Sequence, residues 1–193
     1  MTAAEEFRAL DLRCHTLLHD VPLHDVWIID LDDGGAGRTM RDVDAIASPG
    51  REGPRPIAVR LLFDLRFAPG RVFGWDAPRR KLIDDSYLRR VSDDDRARSL
   101  ATPGTARGIF RLLYMFPDES VGETRNATVH AFLVMALRPR PGGYRLYWGI
   151  YVKPVGWLTP FYMALIDQFR KLIVYPALIR LTQAEWARTY RAA

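Results

Sequence analysis

A chain of 193 residues has the size of one domain and is long enough to bury most of its surface, and 48% hydrophobic against 26% charged residues excludes a largely disordered polypeptide. The net charge of +5 and pI near 9.6 do not predict a nucleic-acid partner, because the basic residues form no stripe and are interrupted by Asp32-Asp33, Asp84-Asp85 and Asp93-Asp94-Asp95. A single cysteine, Cys14, excludes an internal disulfide and fits a reducing, cytoplasmic setting, while the most apolar window, Leu172 to Leu181, is about half of the roughly 20 residues a membrane-spanning helix needs, so no membrane insertion is expected.

In chain order, residues 1–19 open helically, and Val21-Pro22 ends any such helix because proline lacks the N–H and restricts its predecessor. Asp25 to Leu31, DVWIIDL, combines aromatic and β-branched residues and stops at Asp32-Asp33-Gly34-Gly35, the pattern of a first strand and its turn. Two short helices are predicted after it. Thr39 caps one that runs to Ala47, and Pro56 opens another that runs to Ala68, where Pro69-Gly70 ends it. FGWD, Phe73 to Asp76, follows as an aromatic turn, and residues 77–104 are polar and dense in charge, either a solvated connection with a short helix or a lid over a pocket mouth.

The second half reads as antiparallel sheet. Arg107 to Phe116, Thr124 to Arg138 and Tyr144 to Lys153 are the predicted strands, joined by turns at Pro117 to Gly122 and Pro139 to Gly143. Period-two alternation puts Ala127, Val129, Ala131, Leu133, Met135 and Leu137 on one face of the central strand, and Asn126, Thr128, His130, Phe132, Val134 and Ala136 on the other. Both faces are apolar along half their length, so the strand is expected to be covered on two sides, one of them by a helix and the other by a second subunit. Thr159-Pro160 starts the final helix, whose stripe is Tyr162, Leu165, Ile166, Phe169, Leu172, Ile173 and Pro176. Pro176 is expected to kink or end its first part, with Leu178 to Tyr190 continuing beyond.

DVWIIDL, FGWD, RNATVHAFLVMAL from Arg125 to Leu137, and YWGIYVKPVGWLTPFYMALIDQFRKLIVYPALIRL from Tyr147 to Leu181 together resemble a bacterial family of unknown function in the START-like, Bet v 1-like (SRPBCC) superfamily, which also holds polyketide cyclases. The resemblance spans about residues 18–186 of a single domain, 1–193. It implies an α+β helix-grip fold: a curved antiparallel sheet around a long C-terminal helix, with a hydrophobic cavity between them. The ligand expected there is a small hydrophobic molecule such as a lipid, polyketide or terpenoid-like compound. Some relatives carry such a domain behind an NAD-binding one, but Gly34-Gly35-Ala36-Gly37-Arg38 lacks GxGxxG spacing, and no cofactor is expected.

The residues suited to chemistry are few. His15, His19 and His24 lie near Asp20 and Asp25, yet the Pro22 break separates them, so no metal site is expected. His130, the one histidine inside the predicted sheet, suits proton transfer near neutrality, pointing outward or into the cavity beside Asn126 and Thr128 according to how the strand curves. Glu119 and Glu123 are placed at the turn, where carboxylates are ordinarily solvated. His130, Glu123 and Tyr151 are the candidates for acid–base work and for hydrogen bonding to a carbonyl in a cofactor-independent cyclase, dehydratase or lyase. Arg111, Tyr114, Asn126, Tyr147, Trp148, Lys153, Tyr162 and Phe169 are the candidates for lining a ligand pocket, although alternation keeps Tyr147 and Trp148 off a common face. A third reading is a homodimer formed through Phe132 and Val134. Cys14 has no partner motif for nucleophilic chemistry, and no Gly-x-Ser-x-Gly elbow is present.

Overall fold

The computed structural model describes residues 1–47, 86–125, 129–154 and 170–190. Within them the chain is α+β: a six-stranded, wholly antiparallel sheet in the order β1-β6-β5-β4-β3-β2 with helices on both faces. The strands are β1 (Leu23–Asp32), β2 (Ala106–Arg107), β3 (Phe110–Met115), β4 (Glu119–Arg125), β5 (Val129–Arg140) and β6 (Gly143–Pro154). The helices are α1 (Ala3–Ala9), α2 (Arg13–Leu17), α3 (Met40–Ala47), α4 (Asp93–Arg98) and α5 (Tyr175–Tyr190), with a 3₁₀ turn at Tyr87–Arg90 and a π-helical turn at Arg170–Val174. The second short helix expected after β1, Pro56 to Ala68, and the FGWD turn lie outside the described residues.

β1 forms as its composition predicts and pairs along its length with β6. Thr39 caps α3 reciprocally: its hydroxyl accepts from the Arg41 N–H at 3.3 Å, and its own N–H donates to the Asp42 carboxylate at 2.8 Å. The expected strand Thr124 to Arg138 is two strands, since Arg125 pairs with His130 in an antiparallel ladder and the chain therefore reverses between them. The expected strand Arg107 to Phe116 also divides, where Gly108 at φ 59° lets β2 fold back on β3. Between β5 and β6, Pro141 precedes Gly142 at φ 77°, the order that suits a two-residue reversal.

Helix α5 covers one face and one edge. Ala131, Leu133, Met135 and Leu137 point to its side, against residues that include Val174, Tyr175, Leu178, Ile179 and Trp186. Gln183 Nε2 and Trp186 Nε1 donate to the outward carbonyls of Asp30 and Asp32 on β1, at 2.9 and 3.2 Å, occupying backbone groups that an edge strand otherwise leaves open. The Trp186 ring seats on Gly34, at φ +100°, where an added Cβ would lie 2.7 Å from it. Pro176, which cannot donate a backbone bond, is the second residue of α5, directly after the π-helical turn Arg170–Val174. The π turn before it changes the helical phase, so Val174 and Tyr175 are buried whereas Leu172 and Ile173, expected on the buried stripe, are exposed.

The opposite face is covered by α1, α2 and residues 86–91 of the same chain, not by a second subunit. Phe132 and Val134, expected in a homodimer contact, are buried in one cluster with Phe7, Leu12, Cys14, Leu17, Leu18, Tyr87 and Val91. Phe7 reaches the sheet at Gly149, where a Cβ would stand 2.6 Å from its ring, so a glycine within an aromatic strand provides the seat for α1. Residues 86–104, in the segment read as a connection or lid, hold the 3₁₀ turn and α4, with Ser86 and Ser92 as caps.

Candidate functional site

Ladder register aligns one residue from each strand across this second face: Ala106, Arg111, Glu123, Phe132, Tyr151 and Leu23. Cross-strand partners share a face, and the neighbouring row holds Arg125, His130 and Lys153. Two of the three candidate catalytic residues are brought together there. His130 Nε2 lies 3.3 Å from Glu123 Oε2, with the two residues 3% and 6% exposed. The Glu123 carboxylate also accepts from the Ser86 hydroxyl and from the Tyr87 N–H at 3.0 Å. Burial alone would push the Glu123 carboxyl up, but the bonds from His130, Ser86 and the Tyr87 backbone outweigh it and hold the group below its ordinary value. An ionised carboxylate only accepts, so Nε2 of His130 carries the hydrogen, and Nδ1 is the ring nitrogen without a commitment among the described residues. Ser86 is bonded to the carboxylate and not to the imidazole, which rules out a serine activated by His130.

Both glutamates were expected at a solvated turn and are instead buried in β4, because the chain reverses at Pro117-Asp118 and enters the strand at Glu119. Glu119 caps the start of α2, accepting from the N–H groups of Arg13 and Cys14, each at 2.8 Å, and from the Tyr114 hydroxyl. Its carboxyl is raised, burial outweighing these bonds. Tyr114 stacks on Phe116 at 4.5 Å and its hydroxyl, raised by burial, serves this cap.

Tyr151 is set apart from the pair. Its hydroxyl lies 3.3 Å from His15 Nδ1, and burial, with the Cys14 thiol next, pushes it up. The Cys14 thiol is itself raised by burial and by Glu119. Tyr147 donates to Glu6 of α1 at 3.3 Å, and Trp148 lies on the other face against the α5 cluster. Lys153 donates to Asp20 at 3.0 Å and to the Tyr87 hydroxyl at 2.9 Å. Asn126, Tyr162 and Phe169 lie outside the described residues.

Tyr87, which the sequence marks only as half of the apolar pair Tyr87-Leu88 in a charged stretch, ties this face together. Its ring meets His130 edge-on at 5.3 Å and Phe132 at 4.6 Å, its N–H holds Glu123, and its hydroxyl donates to Asp20 at 2.8 Å. Arg90 forks onto Asp20 at 2.8 and 3.2 Å and lies over the Tyr87 ring at 3.9 Å. Bonds from Arg90 first, then from Lys153 and Tyr87, keep the Asp20 carboxyl well below the usual range.

At the open end of this face is a cavity of about 310 Å³, lined by Ser86, Gly108, Ile109, Phe110, Arg111, Glu123, Arg125 and His130, with Ala106 and Thr124 completing the wall. It opens at the β2–β4 end of the sheet, where Ala106, Arg111, Glu123 and His130 reach it from the face opposite α5 and Phe110 and Thr124 stand in the alternate ladder positions. Arg111 is exposed and contributes a guanidinium, while Ile109 and Phe110 give an apolar wall. The three N-terminal histidines do not converge: His19 Nδ1 bonds the Thr16 carbonyl, His15 faces Tyr151, and His24 is on β1. Among the described residues no group of three or more His, Cys, Asp or Glu is placed to hold a metal ion, and no helix is long and apolar enough to cross a membrane.

No curated protein and no solved structure matches the sequence. Residues 17–177 match the model of a family described as "Protein of unknown function (DUF2867)", most of the chain, and the protein belongs to that family.

Proposed function

We propose that the protein binds a small molecule with a largely apolar body in the cavity between the β2–β4 end of the sheet and Ser86. The observation that carries this reading is a cavity of about 310 Å³, at the small end of ligand pockets, with apolar walls at Ile109 and Phe110 and a few buried polar groups at Glu123 and His130. Protein purified from its own host, analysed by native mass spectrometry and then by solvent extraction, is expected to carry one small molecule per chain. Ala106→Trp, which fills the mouth from an exposed strand position, should empty it. Equal recovery from both proteins would move the ligand elsewhere, and recovery from neither would contradict the reading.

A second reading is favoured by the His130–Glu123 contact itself: a cofactor-independent cyclase, dehydratase or lyase in which the carboxylate orients the imidazole and Nδ1 moves a proton. His130→Gln and Glu123→Gln would then abolish turnover while ligand still binds. Unchanged turnover in both would end this reading. We also read the fold as a helix-grip of the START-like kind, supported by the antiparallel sheet with the C-terminal helix laid across one face. The cover of α1, α2 and Tyr87 on the other face is an addition to that plan. An experimental structure with Tyr175–Tyr190 away from the sheet would contradict it.

A further inference from the structure

We infer that the ligand of this cavity is an organic acid whose carboxylate is bound by Arg111, an inference that rests on the cavity being the binding site. Arg111 and Glu123 are direct cross-strand partners, and opposite charges in that position ordinarily pair. Here they do not: both Glu123 oxygens are engaged by Ser86, Tyr87 and His130, and Arg111 makes no hydrogen bond or ion pair with any described residue. A guanidinium is thus left at the wall of a half-enclosed space of mixed polar and apolar lining with its donors unspent, in the fork geometry that fits a carboxylate. Glu123 repels a second carboxylate at its own depth, which places the acid head at Arg111 and the tail along Ile109. A volume of about 310 Å³ corresponds to roughly ten water volumes and suits an acid of medium length rather than a long-chain lipid.

The test is calorimetric titration of the full chain with octanoate, octan-1-ol and octylamine, each at low and high salt. Octanoate is expected to bind about tenfold more tightly than octan-1-ol, with the advantage shrinking as salt is added, and octylamine most weakly. Arg111→Gln should bring octanoate down to the alcohol's affinity and leave the alcohol unchanged. Because Arg111 is exposed, the substitution is not expected to disturb folding, and circular dichroism checks this. Equal binding of acid and alcohol in the native protein, or an Arg111→Gln variant that keeps the preference, overturns the inference while leaving the cavity reading intact. Binding of neither compound overturns both.

Discussion

Tyr87 offers the sharpest check on how the second face of the sheet is closed. The side chain is 2% exposed, its ring packs on Phe132 and His130, and its hydroxyl joins the Asp20–Lys153–Arg90 cluster. Tyr87→Phe removes only the hydroxyl. Asp20 keeps Arg90 and Lys153, which lies 3.0 Å away, so no charged group is stranded and the cost is about 1 kcal/mol. Tyr87→Ala removes the ring as well and opens a cavity over Phe132, at about 3–5 kcal/mol. For a chain of this length each kcal/mol shifts the unfolding temperature by about 2–4 °C, so the phenylalanine variant should melt a few degrees low and the alanine variant roughly 6–20 °C low. Far-UV circular dichroism during heating and in urea measures both. An alanine variant that melts with the native protein would refute the packing of this turn on the sheet. A phenylalanine variant as damaged as alanine would show that ionic contacts, not apolar burial, hold it.

Gly149→Ala places a methyl 2.6 Å from the buried Phe7 ring, so it should cost about 1–3 kcal/mol in urea unfolding, and adding Phe7→Leu should recover part of the loss. The Glu123 and Asp20 carboxyls are both held below their unfolded values of about 4.3 and 3.9; the stability they contribute is present above those values and is lost as pH falls through the folded ones. Urea stability should therefore decline below about pH 4, with a smaller decline in Glu123→Gln; parallel curves from pH 5 to 2 would contradict the assignment. Cys14 is buried and its thiol is raised, so a thiol reagent at pH 8 should react only as fast as α2 opens, with the rate rising sharply in mild denaturant. Immediate labelling would place the thiol at the surface.

The first strand was legible because its aromatic and β-branched run is bounded by Asp32-Asp33-Gly34-Gly35, and α3 because Thr39 and Asp42 are a local cap. The reversal between Arg125 and His130 was not, since Asn126-Ala127-Thr128 contains neither glycine nor proline and the alternation on either side reads as one strand. Gly108 passed for a strand residue because nothing local distinguishes a weak strand position from a fold-back. Helix α2 is five residues long and its cap, Glu119, comes from 106 residues away, a dependence no local pattern carries. The pairing of His130 with Glu123 follows from that unseen reversal, which turns two residues seven apart into close neighbours on adjacent strands. Ser86, Tyr87 and Asp20 were given no part in this site because the contacts that bring them to it, Ser86 and Tyr87 to Glu123 and Tyr87 to Asp20, join residues distant in sequence.

The account turns on which side of the sheet receives a guest molecule. Amide NMR shifts of ¹⁵N-labelled protein titrated with octanoate locate it directly. The account predicts saturable shifts concentrated at Ala106 to Arg111, Glu123 to Arg125 and His130; shifts confined to Trp27, Trp148 and Tyr175, on the side of α5, would contradict it.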